Sequence, residues 1–402
     1  MTILIARNLG PESFGVLSFA ITVVAMFSFL SNLGLNAIVV REITKDIERS
    51  QGLVATAFYL KLIGGIAAFF LGSVVIFVLK QDDIEIQFLV MVLLLGYVFQ
   101  AMDAVDYFFQ AQVLSKYVVI SRNIAFVVSS GLKLCFVFLK FDVLYLGFAI
   151  VFDLALSSLF MFLIYKKTNY SDESWMLDRI LAKQLLKDSW PLMLSTFFIM
   201  IYMKVDQIMI ETLLDMESVG LYSVAVTISE AWFFMPAIIV TTLSPYFIRL
   251  RDEDTNQYLR DLKKVNTLMF WMSVAVGAFV TLFGQEIVVY LFGQEYKDSY
   301  LALSLNIWAG IFVSLGLASN LWMIAENLQI YRLVGTSIGV CLNIIANYYL
   351  IPIYGISGAA LATLVTQGLG LWFFPFFFKP LRIFTLMTIT SILPIYLLKN
   401  RP

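Results

Sequence analysis

Long apolar runs separated by short polar stretches make up most of this chain. A helix that crosses a lipid bilayer needs about 20 consecutive apolar residues. Runs that reach or approach this length lie at 14–40, 53–79, 88–110, 117–139, 143–165, 190–213, 218–247, 266–292, 300–324, 329–351 and 355–378, with a weaker run at 384–398. The pattern predicts an all-α polytopic membrane protein with about 11–12 transmembrane helices.

One short stretch of this pattern occurs twice. Residues 12–23, ESFGVLSFAITV, align with residues 217–228, ESVGLYSVAVTI, with Glu, Ser, Gly, Ser, Ala and Thr identical. The offset of 205 residues is close to half of the 402-residue chain. Internal repeats of this kind are typical of membrane transporters whose halves are related by pseudo-symmetry. The sequence therefore predicts two pseudo-symmetric helical lobes.

The runs and the repeat together predict the domain organisation. We expect an N-terminal lobe at 1–165, an inter-lobe linker at 166–189, a C-terminal lobe at 190–378 and an additional weak hydrophobic segment at 379–402. The run at 190–213 opens the second lobe, and its counterpart 205 residues earlier would end near residue 8. We therefore expect that most of the first helix of the first lobe is missing from this chain.

The distribution of Lys and Arg predicts the orientation in the membrane. Most of the basic residues outside the runs fall in loops on one side, among them 41–49, 166–187 and 249–264. Cytoplasmic loops carry an excess of Lys and Arg. The linker at 166–189 is therefore predicted to be cytoplasmic.

Composition narrows the possible functions. The chain is 60% hydrophobic and only 14% charged, and its net charge of −1 does not favour nucleic acid as a partner. It contains no histidine, which excludes histidine-based catalytic triads and histidine metal sites. The two cysteines lie far apart in separate runs and do not form a zinc or redox motif. We expect neither a metal site nor a catalytic site.

Basic residues inside the runs are candidates for substrate binding, because charge at mid-membrane depth is costly and usually faces a cavity or a partner. The set is Lys61, Arg122, Lys133 and Lys204. Arg122 and Lys133 are eleven residues apart and fall within about 20° of one helix face, which Ser129 shares. This stripe predicts one wall of a water-filled, anion-attracting cavity, with Lys61 and Lys204 on other walls. The alternative for Arg122 is a side chain that extends toward the cytoplasmic surface.

The acidic residues inside the runs have two interpretations. They are Asp103, Asp106, Asp153, Asp206 and Glu230. Each either binds a coupling proton or sodium ion, or neutralises a neighbouring Lys or Arg. Lys204 and Asp206 are about 200° apart on a regular helix, so one is expected to face the cavity and the other to pack within its lobe.

Several of these stretches resemble a known family. They are ARNLGPESFGVLSFA at 6–20, YFFQAQVLSKY at 107–117, YMKVDQIMI at 202–210 and VGLYSVAVTISEAWFFMP at 219–236. They resemble the polysaccharide transporter family, whose superfamily includes the multidrug and toxin extruders (MATE) and the lipid II flippase. The resemblance extends over nearly the whole chain and is most specific at 202–236.

This resemblance implies a MATE-like fold of two lobes around a cationic cavity. It also implies a flippase that moves an undecaprenyl-diphosphate-linked oligosaccharide, a repeat unit of O-antigen or capsule, to the outer leaflet by alternating access. A proton or sodium gradient would drive the cycle without a bound cofactor. The expected partners are the lipid-linked oligosaccharide, membrane lipids, a polysaccharide polymerase and glycosyltransferases, and the expected location is the bacterial inner (cytoplasmic) membrane.

Two other functions fit parts of the sequence. A multidrug antiporter would share the fold, but it would be expected to bind cationic drugs through acids and aromatics, whereas Lys61, Lys133 and Lys204 lie within spans of this chain. A membrane-embedded glycan polymerase or ligase would need a sizeable external loop with reactive groups, and the predicted external loops are short. The sequence therefore predicts a transporter without catalytic residues.

Overall fold

The computed structural model of this chain describes residues 1–168, 175–326, 328–370 and 374–392, and within these ranges there is no β-strand. Short 3₁₀ turns occupy Gln100–Asp103, Gln294–Tyr296 and Phe374–Phe377. The α-helices are α1 Thr2–Met26, α2 Ser28–Asn32, α3 Leu35–Lys45, α4 Ser50–Leu79, α5 Ile84–Phe99, α6 Ala104–Ala111, α7 Lys116–Phe138, α8 Val143–Lys167, α9 Arg179–Leu213, α10 Met216–Glu253, α11 Thr255–Phe292, α12 Ser299–Ala325, α13 Gln329–Tyr354, α14 Ile356–Gly368 and α15 Lys379–Ile392.

Within the described residues, ten helical segments are long and apolar enough to cross a membrane. They comprise α1, α4, α5 with α6, α7, α8, α9, α10 and α11, and the larger parts of α12 and α13. The all-α, polytopic prediction is confirmed. The predicted run at 355–378 begins with α14, and the part of the weak run beyond residue 392 lies outside the described residues.

The chain forms two compact units. Unit 1 consists of Met1–Leu9 and Val16–Lys204, and unit 2 consists of Gly10–Gly15 and Val205–Pro402. The change from unit 1 to unit 2 at residue 204 falls inside α9, which is continuous from Arg179 to Leu213. The predicted lobes and linker were defined from the apolar pattern. They stay a prediction about the two functional halves of the protein.

Two helix interruptions in unit 1 position its polar residues. Leu33 and Gly34 both have left-handed backbone angles and separate α2 from α3. The 3₁₀ turn Gln100–Asp103 interrupts the path from α5 to α6. Both interruptions border an aromatic and aliphatic core built from α3, α4, α6 and α8, with Phe108 and Tyr165 at its centre. Helix interruptions at membrane depth are tolerated where the backbone is buried in protein or lines a polar site.

Unit 2 contains a reciprocal contact between the repeated segments. A Cβ added to Gly15 would overlap the carbonyl oxygen of Met216, and a Cβ added to Gly220 would overlap the carbonyl oxygen of Pro11. Because Pro11 and Met216, like Gly15 and Gly220, are 205 positions apart, the two contacts are pseudo-symmetric. We call this contact the α1–α10 crossing. Only glycine allows the two backbones to approach so closely.

The repeat also extends to α4 and α11, each considered within its own unit. These helices begin at Ser50 and Thr255, which are 205 positions apart. Seven pairs of positions at this offset are buried in both helices. They are 53 and 258, 57 and 262, 60 and 265, 61 and 266, 64 and 269, 68 and 273, and 72 and 277. The repeat seen in residues 12–23 is therefore one part of a longer structural duplication.

Candidate functional site

A cluster of charged side chains lies beside the interrupted helix of unit 1. The Arg122 guanidinium on α7 donates hydrogen bonds to Asp103 Oδ1 at 3.3 Å and to Asp106 Oδ2 at 3.0 Å. Asp103 ends the 3₁₀ turn and Asp106 lies in the first turn of α6, so the interruption brings both carboxylates to one arginine. The Arg122 side chain is 51% exposed, whereas Asp106 is almost buried. Arg122 therefore presents part of its charge at the surface of unit 1.

Lys61 is the buried cation of the same unit. Its side chain is fully buried, its Nζ donates to Asn32 Oδ1 at 3.2 Å, and it lies 5.8 Å from the ring centre of Tyr107. Asn32 comes within reach because Gly64, nearly one turn after Lys61, packs directly against the carbonyl of Leu30. Asp103, Asp106 and Arg122 are the charged groups near enough to interact with Lys61 electrostatically. We call Lys61, Asp103, Asp106 and Arg122 the charged cluster.

A separate ion pair joins α7 to α8. Lys133 Nζ lies 3.4 Å from Asp153 Oδ2, with the Lys133 side chain nearly buried. Lys133 and Ser129 belong to the buried stripe of α7, whereas Arg122 lies beside that stripe and is exposed. Asp103, Asp106 and Asp153 thus act as counter-ions to Arg122 and Lys133 in this structure. Substrate binding by Lys61, Arg122 and Lys133 stays a prediction, as does ion binding by the acids.

Unit 2 contains a buried carboxylate of a different kind. Asp206 is 5% exposed and accepts hydrogen bonds from Asn347 Nδ2 at 2.7 Å, Thr363 Oγ1 at 2.8 Å and Tyr222 Oη at 2.9 Å. Asn347 also donates to Asn343 Oδ1 at 3.0 Å. We call Asp206, Tyr222, Asn343, Asn347 and Thr363 the Asp206 cluster. The donors to Asp206 in the described part of the chain are all uncharged.

The elements explain how the Asp206 cluster assembles. Asp206 follows directly after α9 enters unit 2, and Tyr222 lies in the second turn of α10. Asn343 and Asn347 are four residues apart on α13, so they share one face of that helix. Thr363 lies on α14, which packs against α13. Of the two faces of α9 weighed from the sequence, the one with Asp206 packs within its unit.

The Asp206 cluster contains a buried oxygen atom that has no hydrogen-bond partner. The Oδ1 atom of Asn347 is buried without a hydrogen-bond partner. Carboxylate, amide and hydroxyl oxygens are the ligands that hard cations prefer. Rotation of the Asn347 amide by half a turn would direct this oxygen toward Asp206, where only a cation or a protonated carboxyl accommodates it. Among the described residues, no group of three or more His, Cys, Asp or Glu side chains forms a metal site.

The two remaining predicted residues belong to neither the charged cluster nor the Asp206 cluster. Lys204 is partly buried at the end of the unit 1 portion of α9, and Glu230 is partly buried on α10. Both take part in side-chain interactions. Their predicted roles stay predictions.

Sequence reasoning singled out Asp206 but missed its neighbours. Tyr222 lies inside the repeated block, where its counterpart is Leu17, so the difference between the repeats was a usable signal. Asn343 and Asn347 show helical spacing inside an apolar run, which is also a signal. The roles of Asn32 and Thr363 appear only in the folded chain.

The fold defines the class of protein. It is similar to a multidrug resistance MATE family transporter of the MOP superfamily in an inward-facing conformation, with a TM-score of 0.71 and 17% identity, covering 100% of this chain and 95% of that one. It is also similar to the lipid II flippase MurJ, with a TM-score of 0.65 and 16% identity, covering 99% and 91%. At these identities the likeness shows the fold, which is the MATE-like fold that the family resemblance implied.

Residues 1–251 match the family described as "Polysaccharide biosynthesis protein", and the chain belongs to that family. It is 29% identical over 177 residues to the probable flippase AglR of Haloferax volcanii. That alignment covers 42% of this chain and 37% of the relative's length.

Proposed function

We propose that this protein is a flippase that carries an undecaprenyl-diphosphate-linked oligosaccharide to the outer leaflet of the bacterial cytoplasmic membrane by ion-coupled alternating access. Membership of the polysaccharide biosynthesis family supports the substrate class, and the similarity to the probable flippase AglR and to the lipid II flippase MurJ supports the flippase activity. The Asp206 cluster carries the ion-coupled part of the proposal. A carboxylate inside a membrane-spanning helix is costly unless it is paired, protonated or cation-bound.

In this proposal the charged cluster and the Asp206 cluster have different roles. Arg122, half exposed and bound to two carboxylates, is suited to exchange a carboxylate for a diphosphate oxygen, because guanidinium groups bind both in the same planar geometry. Asp206, enclosed by uncharged donors, is suited to hold the coupling proton or sodium ion. A polysaccharide polymerase and glycosyltransferases would act on the product and supply the substrate.

Genetic complementation tests this function. In a host that lacks the gene, Asp206→Asn at unchanged protein level is expected to reduce surface polysaccharide about tenfold or more and to accumulate lipid-linked repeat units on the cytoplasmic side. Asp298→Asn is the matched control, because Asp298 is an exposed acid of unit 2 outside the cluster. Full export by the Asp206 variant would contradict ion coupling at this site.

The same strain separates the alternatives. Normal polysaccharide together with sensitivity to cationic drugs in the deletion strain would indicate a multidrug antiporter. Unpolymerised repeat units on the outer leaflet would indicate a polymerase. Reconstitution with an imposed sodium or pH gradient identifies the coupling ion, since only the gradient that is used will accelerate flipping of the lipid-linked substrate.

A further inference from the structure

The first two turns of α10 contact two different structures on opposite faces. Gly220 packs against the backbone of Pro11, and Tyr222 donates its hydroxyl hydrogen to Asp206. Residues two apart on an α-helix point about 200° away from each other. The start of α10 therefore lies between the Asp206 cluster on one face and the α1–α10 crossing on the other, all within unit 2.

The segment Gly10–Gly15, which forms the α1 side of the crossing, is packed against a second element as well. Besides the reciprocal glycine contacts, the Phe14 ring meets the Tyr296 ring edge-on at 6.3 Å, and both side chains are buried. Gly10 has a φ of 77°, which lets α1 change direction at the start of the segment Gly10–Gly15. A displacement of the first turns of α10 therefore moves the segment Gly10–Gly15 or separates the two backbones.

Tyr222 and a bound cation would share the carboxylate of Asp206. A carboxylate has about four acceptor positions, and the hydroxyls of Tyr222 and Thr363 occupy the same oxygen, Oδ2, while Asn347 occupies Oδ1. The three donors leave about one position free, and a cation or proton that binds there withdraws electron density from the oxygens that accept the hydrogen bonds. The hydrogen bond from Tyr222 is therefore weaker when Asp206 carries a cation or proton, and stronger when it does not.

We infer that Tyr222 is the positioning residue through which the occupancy of the Asp206 cluster controls the α1–α10 crossing. This inference rests on the proposed cation site and names the contact that reports its occupancy. Loading Asp206 weakens its hydrogen bond with the Tyr222 hydroxyl, so α10 is held less firmly against α9 and the packing of Gly10–Gly15 changes. Thermodynamic coupling is reciprocal, so a change at the crossing alters cation affinity by the same factor.

A double-mutant cycle on the purified full chain tests the inference. Phe14→Leu loosens the packing of the segment Gly10–Gly15 against Tyr296 without placing an atom in the backbone contact with α10, and Tyr222→Phe removes only the hydroxyl. Sodium is titrated at fixed pH, and in a second series pH is varied with potassium as the added cation, with thermal stability as the readout. Phe14→Leu is expected to change the apparent cation affinity at least about fivefold in the wild-type background. In the Tyr222→Phe background the change is expected to fall below about twofold, because the connection is absent.

Tyr300→Phe is the matched control. The Tyr300 hydroxyl donates to the Thr281 carbonyl at 2.7 Å, also within unit 2 but away from the Asp206 cluster. In this background Phe14→Leu is expected to retain its full effect on cation affinity. If Phe14→Leu yields too little folded protein, Tyr296→Leu loosens the same ring contact from the other side.

The outcomes separate this inference from the proposed function. An equal effect of Phe14→Leu with and without the Tyr222 hydroxyl overturns the coupling through Tyr222 and leaves the cation site intact. A wild-type protein that responds to neither sodium nor pH, and behaves like Asp206→Asn, overturns both. Loss of the effect in the Tyr300→Phe control also overturns the inference, because any lost hydroxyl would then suffice.

Discussion

Units 1 and 2 bury their polar groups in different ways, although α4 and α11 share seven buried positions. At the equivalent positions 61 and 266, unit 1 has a fully buried lysine and unit 2 a nearly fully buried asparagine. Lys61 donates to the amide of Asn32 and lies within electrostatic range of two carboxylates and a guanidinium. Neither the oxygen nor the nitrogen of the Asn266 amide has a hydrogen-bond partner in the described part of unit 2.

The acids show the same contrast. In unit 1, Asp103, Asp106 and Asp153 are held by basic side chains. In unit 2, Asp206 is held by hydroxyl and amide groups. The comparison teaches that the duplication preserves backbone packing, while the chemistry of the buried polar positions has diverged between the units. The uncharged groups around Asp206 leave its negative charge for an ion to neutralise. The basic side chains of unit 1 already neutralise the acids beside them.

The shared packing predicts the largest effect. Gly15→Ala and Gly220→Ala are expected to lower stability by about 4 kcal/mol or more each, because the two helix backbones would have to separate. The effects are expected to be similar, since the contacts are reciprocal. Thermal unfolding in detergent measures both. Gly131→Ala on α7 is the control, because an added Cβ there meets nothing within 4 Å. A large loss of stability in only one of the two crossing variants would show that the two pseudo-symmetric contacts do not contribute equally to stability.

Exchanging the residues at 61 and 266 tests the divergence. Asn266→Lys is expected to cost about 2.5–3.5 kcal/mol, because it buries a charge in unit 2 without the carboxylates that interact electrostatically with Lys61. Lys61→Asn is expected to cost less, about 1–3 kcal/mol, because asparagine already fits the equivalent position in α11 and the loss is mainly electrostatic. Unfolding midpoints of the two single variants measure this asymmetry. Equal costs would show that the surroundings of the two positions are electrostatically alike.

The smallest effect concerns the Lys133–Asp153 pair. Lys133→Ala is expected to cost about 1 kcal/mol by leaving Asp153 unpaired, and Asp153→Asn in the same chain is expected to restore stability. If Lys133 binds the anionic substrate, surface polysaccharide stays low in the restored double variant and lipid-linked repeat units accumulate. Full export by the double variant would show that Lys133 is only a counter-ion. Lys204→Ala is expected to reduce export in the same assay.

The sequence predicted which charged residues belong to the candidate site, but not which residues they contact. Every charged residue of both clusters was found from the sequence, because a charge inside an apolar run stands out against its neighbours. The pairing of Arg122 with Asp103 and Asp106 was not, since it depends on the interruption between α5 and α6. The neutral groups around Asp206 were missed because Asn and Thr occur widely in membrane helices as packing residues.

By itself, the sequence determined that this protein is a duplicated, membrane-spanning bundle of helices. Span length, helical spacing and internal repeats depend on the lipid bilayer and on local backbone geometry, which act the same way in any fold. The tertiary structure alone decided which buried acids have basic partners and which do not. Asp206 meets Asn347 and Thr363 from 141 and 157 residues away. Contacts of that range depend on how whole helices pack, and no local pattern of residues contains that information.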